Sequence, residues 1–172
     1  MNNALRNILR FIILLIAQIF ICNPIELWDF MTPQIYILAL LILPTQLPKW
    51  SQYLIAFCYG FIIDCFTQNL GIHTTAALTL IVLRSPLLFL LNGRKPIDTS
   101  FLPTPGNKPF GWILTYTLLL TFIHQFTLNI LEAFTFRMFF QTLFFTIINT
   151  IISTILLLFI LHIFYNEKKF RK

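Results

Sequence analysis

Two ionisable side chains stand inside apolar runs, Asp64 and Arg84, within the stretch Gly60–Arg84 that reads GFIIDCFTQNLGIHTTAALTLIVLR. An ionised group placed in hydrocarbon costs at least about 2.5 kcal/mol, so an acid and a base at such positions need partners. A short polar turn, Thr67-Gln68-Asn69 followed by Leu70-Gly71, joins the two runs and makes them neighbours. Two arrangements fit. In the first, Asp64 faces the interior and is paired with Arg84, or hydrogen-bonded, across this hairpin. In the second, Arg84 stretches to the aqueous surface while Asp64 caps the polar turn at the opposite face.

Polar residues on two later runs form a second group. Thr121, Gln125, Asn129 and Glu132 fall close to one helical face, with His124 beside it. Thr142, Thr146, Asn149, Thr150 and Ser153 follow on the next apolar run. Such stripes satisfy one another inside a bundle, bond a partner's helix, or line a ligand pocket open to the outer face. Gly71, Thr75 and Thr79 recur every four residues, a small-residue face expected to pack closely against another helix.

Catalysis has the least support. His73, His124 and His162 sit on three different segments and match no metal spacing. There is no Gly-x-Ser-x-Gly or His-Glu-x-x-His pattern. No residue is therefore assigned a catalytic, cofactor-binding or metal-binding role.

These residues must be positioned by membrane helices. The chain has 172 residues, of which 58% are hydrophobic and 10% charged, and its mean hydropathy is +0.81. That is too apolar for a water-soluble fold and long enough for one domain. The expected fold is an all-α integral membrane bundle of six transmembrane helices. The spans are read at about 7–22, 30–47, 51–66, 72–91, 112–131 and 139–165. The apolar part of the second, Gln34–Leu43, is short and ends at Pro44 and Pro48; the span starts near Trp28 or is a broken helix. Pro86 is expected to kink the fourth. Residues 92–111 carry four prolines and form the longest loop, with no helix expected.

The net charge of +6 is concentrated at the ends and in this loop. With six crossings and a cytoplasmic amino end, Arg6, Arg10, Lys49, Arg94, Lys95, Lys108 and the basic tail lie inside, and Arg137 alone lies outside. That distribution follows the positive-inside rule and places both termini in the cytoplasm. It does not resemble a nucleic-acid surface, since basic residues are not interleaved with aromatics and no Gly-rich phosphate loop is present. Cys22, Cys58 and Cys65 form no disulfide framework or zinc spacing and read as small packing residues.

The pattern Gly60-x-x-x-Asp64-x-x-Thr67-x-x-Leu70-Gly71-x-His73, joining two spans, resembles the rod shape-determining MreD family of bacteria. Gln18 near the end of the first span, Pro33 opening the second and Leu47-Pro48 closing it are also similar to that family. The central loop, preceded by Arg84-x-Pro86, is longer than the family's pattern. The resemblance implies a multi-pass protein of the bacterial inner membrane, without enzymatic activity or cofactor, that acts as a scaffold in cell-wall elongation. It implies binding to MreC and, through it, links to MreB, RodA and a penicillin-binding transpeptidase. It also implies a fold similar to the substrate-capture subunits of vitamin transporters. That likeness and the outer-half polar groups leave an alternative open, a small-molecule-binding subunit of a vitamin-type transporter.

Overall fold

The computed structural model describes residues 3–24, 33–69, 71–95, 103–105, 107–134 and 139–166. Among them every extended element is a helix, with α1 at Asn3–Ala17, α2 at Ile37–Leu41, α3 at Lys49–Thr67, α4 at Ile72–Leu91, α5 at Phe110–Ala133 and α6 at Phe139–Asn166. A π-helical turn, Gln18–Cys22, extends α1. Among the described residues three segments are long and apolar enough to cross a membrane: Ile72–Leu91, Phe110–Ala133 and Phe139–Tyr165.

Prolines and left-handed residues punctuate these helices. Pro48 and Pro109 stand immediately before α3 and α5, where a missing N–H costs no intrahelical bond. The Pro48 carbonyl accepts from the Ser51 and Gln52 amides, and that of Pro109 from Trp112 and Ile113. Gln68 closes α3 in the left-handed conformation, and Gly71 opens α4 with φ of 83°. That second angle favours glycine, because a Cβ there would meet the following carbonyl. The polar turn between the runs is thus as tight as the sequence implies. Leu70 lies outside the described residues, as do the acidic residues Glu26 and Asp29, Arg137 and the basic tail. α4 continues through Pro86 as one helix.

The helices α3, α4, α5 and α6 pack in succession, each on the next, and the short α2 touches α1, α4, α5 and α6. Every residue from Pro33 to Leu43 is buried. In the stretch read as the span 30–47 the helix is broken, one of the two forms that the sequence left open. Among its described residues the stretch is a five-residue helix flanked by turns, enclosed by the other helices rather than crossing as one rod. Pro44 ends it because proline offers no amide to continue the ladder.

The outward surface is apolar, with Phe57, Phe61, Phe66, Val82, Phe144, Ile151 and Phe159 all exposed. The polar side chains lie inside: Gln18, Gln52, Asp64, His73, Arg84, Thr121, His124 and Gln125 are each buried. This inverts the ordinary arrangement of a water-soluble protein and is the arrangement a hydrocarbon surround selects. Cys58 and Cys65 belong to the outward surface, whereas Cys22 is buried.

Candidate functional site

Many of the buried polar groups converge on the enclosed segment 33–43, with Gln18 at one end of it and Arg84 at the other. Its first amides have no intrahelical acceptor. Gln18 supplies one. Its Oε1 accepts from the Ile35 amide at 2.7 Å and the Tyr36 amide at 3.3 Å. The Gln18 Nε2 donates to Asn23 Oδ1 at 2.8 Å and to the Pro33 carbonyl at 3.3 Å. The π-helical turn places Gln18 where it can do this, with the side chain fully buried.

The other end has carbonyls without donors, and Arg84 supplies them. Its Nη2 donates to the carbonyls of Leu41, at 3.3 Å, and Leu43. Its Nη1 donates to Gln52 Oε1 at 3.3 Å and its Nε to the Tyr116 hydroxyl at 3.0 Å. Tyr116 in turn donates to the Leu41 carbonyl at 3.0 Å, and Gln52 Nε2 to the Leu47 carbonyl at 2.8 Å. The carbonyl end of a helix carries partial negative charge, so a guanidinium is well placed there. Its planar fork spreads its donations over three nitrogens, Nη2 to the two carbonyls, Nη1 to Gln52 and Nε to Tyr116, a reach that a single ammonium nitrogen cannot match.

Both sequence expectations for Arg84 are corrected. It does not pair with Asp64, and it does not reach the surface, being 2% exposed. Asp64 is hydrogen-bonded across the hairpin, but to the backbone. Its Oδ1 accepts from the His73 amide at 2.9 Å, and its Oδ2 from the Thr74 amide at 2.9 Å and the Thr74 hydroxyl at 2.5 Å. A residue of α3 thereby caps the first turn of α4, whose amides attract negative charge. Gly60 permits the approach. A Cβ on it would lie 2.5 Å from Thr74 Cα and 2.9 Å from the His73 carbonyl oxygen.

The close-packed small residue is therefore Gly60, not the face of Gly71, Thr75 and Thr79. Gly71 and Thr75 are exposed, and nothing lies within 4 Å of where a Gly71 Cβ would stand. Thr75 and Thr79 donate to carbonyls of their own helix, at 2.7 and 2.9 Å. Thr67 does likewise, to Ile63 at 3.0 Å.

Within the segment, Tyr36 joins His73 and His124. Its hydroxyl is 2.5 Å from His124 Nε2 and 3.3 Å from His73 Nδ1, with both rings edge-on to the phenol. A phenol has one proton, so it donates to one imidazole and accepts from the other. The chain of bonds can run in either direction, and reversing it exchanges the tautomers of both neutral rings. Gln125 completes the polar interior by donating to Ser153 Oγ at 3.3 Å, an oxygen that also accepts from the Gln34 amide. Asn129 donates to Thr146 Oγ1 at 2.9 Å. Glu132 is exposed at the end of α5 and does not join the stripe.

Sequence reasoning missed Tyr36, Gln52 and Tyr116. The α5 signal extends beyond Thr121, since Thr117 continues its four-residue spacing down to the turn that carries Tyr116. Tyr36 had no such signal, because it lies in a segment without helical periodicity. Among the described residues no group of histidine, cysteine and carboxylate side chains could hold a metal ion. No family model matches the chain, and neither a curated protein nor a solved structure is significantly similar to it.

Proposed function

We propose that the chain is a non-enzymatic scaffold of the bacterial inner membrane, of the MreD type, acting in cell-wall elongation. It binds MreC and, through it, connects to MreB, RodA and a penicillin-binding transpeptidase. One observation carries this reading. The polar residues behind the resemblance, Gln18 and Asp64, each bond the backbone of a neighbouring segment, and Gly60 lets two backbones meet. A framework fixed in this way presents a constant outer surface to other membrane proteins.

In this reading the chain crosses six times, with both termini in the cytoplasm. α3 has 19 residues, which at about 1.5 Å each nearly matches a hydrocarbon core of about 30 Å. α1 with its π-helical turn supplies another crossing, and the region of α2 supplies the remaining one as a broken helix enclosed by protein. Lys49 at the start of α3, Arg94 and Lys95 after α4, and Lys108 before α5 mark the cytoplasmic end.

Co-purification tests the reading. The tagged full chain, extracted in mild detergent from a rod-shaped bacterium, is expected to retain MreC at near-equal amounts. Recovery of folded chain with no MreC overturns it.

A further inference from the structure

Four buried polar atoms of α5 and α6 have no hydrogen-bond partner among the described residues. They are Thr121 Oγ1 and His124 Nδ1 on α5, and Thr150 Oγ1 and Thr154 Oγ1 on α6. Their residues are between 0% and 4% exposed. Thr121 and His124 are one turn apart on one helix, as are Thr150 and Thr154 on the other. The bonds Gln125–Ser153 and Asn129–Thr146 set an antiparallel register between the helices. That register brings Thr154 opposite Thr121 and Thr150 opposite His124.

A buried hydroxyl left without a partner is costly, and natural interiors pair nearly all such groups. Four in one seam are too many to be incidental. Neither fixed charge of the interior belongs to the seam, because Asp64 is bonded to the start of α4 and Arg84 to the Leu41 and Leu43 carbonyls. Hydroxyls both donate and accept, and imidazole Nδ1 does one or the other according to tautomer. Such a set matches a neutral molecule that itself donates and accepts.

We propose that the α5–α6 seam is a binding site for small neutral hydrogen-bonding molecules, either ordered water or a small hydroxyl- or amide-bearing solute. His124 connects this site to the Tyr36 hydroxyl, so its occupant senses the direction of the Tyr36–His73 bond chain. The proposal is independent of the scaffold reading and stands or falls without MreC.

The test uses the full chain in lipid nanodiscs with Thr121→Val, Thr150→Val and Thr154→Val. Valine has nearly the shape of threonine without the hydroxyl. If each hydroxyl holds a bound molecule, each variant leaves that molecule short of a partner, and Tm falls by roughly 2–6 °C. If the hydroxyls are unpaired, valine removes a penalty and Tm stays or rises. X-ray radiolytic labelling in 18O water, which modifies side chains beside ordered water, is expected to mark Leu157, buried one turn beyond Thr154 on α6, and to leave Ile63, equally buried but on α3, unmarked. Mass spectrometry of the denatured sample reads any released solute. Labelling without a released molecule assigns water, and a released molecule assigns a solute. An unchanged or raised Tm in the valine variants, or the absence of both label and released molecule, overturns the proposal.

Discussion

Gly60→Ala tests the contact on which the α3–α4 hairpin depends. The added methyl would stand 2.5 Å from Thr74 Cα and 2.9 Å from both the Thr74 nitrogen and the His73 oxygen. All three are backbone atoms, so no rotamer change relieves the clash. Ordinary carbon contacts are about 3.5–4.0 Å, and the first turn of α4 must therefore retreat by about 1 Å. Overpacking of this kind costs about 1–3 kcal/mol. The retreat also stretches the three bonds from His73 and Thr74 to Asp64, now 2.9, 2.9 and 2.5 Å. Polar bonds inside membrane bundles average about 0.6 kcal/mol each, so their loss adds about 2 kcal/mol. The expected total is about 3–5 kcal/mol, or a fall in Tm of roughly 10 °C for a chain of this size. Thermal unfolding of the purified protein in one detergent, followed by intrinsic fluorescence or circular dichroism, reads this directly. Asp64→Asn should overlap with it, because both substitutions loosen the same turn, and the double variant should lose less than the sum. A Gly60→Ala protein within about 2 °C of the parent, or strictly additive losses with Asp64→Asn, would refute the close approach and its coupling to the carboxylate.

Asp64→Asn and Arg84→Gln are expected to be additive within about 0.5 kcal/mol, since they share no partner; a coupling above about 1 kcal/mol in a double-mutant cycle would restore the ion pair excluded above. Arg84→Lys keeps the charge but cannot span the Leu41 and Leu43 carbonyls together with Tyr116. It should cost about 1–3 kcal/mol and expose segment 33–43 to proteinase K, and a lysine variant as stable and resistant as the parent would contradict the clamp.

The sequence alone determined much of the frame. Apolar runs of helical length mark α3 to α6, because a chain in hydrocarbon must satisfy its backbone within its own helices. The polar turn and Gly71 announce the hairpin, since glycine readily takes the left-handed angle required there. The stripe on α5 marks an interior face, and all of it but Glu132 turns inward.

Tertiary structure alone decided the partners. The groups that answer Arg84 are mainly carbonyls, which every residue carries, so composition cannot single out Leu41 and Leu43. They become acceptors only because the segment stops being helical there. The same holds for Gln18 and the amides of Ile35 and Tyr36. Spacing likewise showed small residues on both sides of the hairpin but could not say which side meets a neighbour. Gly71, Thr75 and Thr79 have the regular spacing, yet it is Gly60 that touches Thr74, because the rotation of each helix about its axis is set by everything else it packs against.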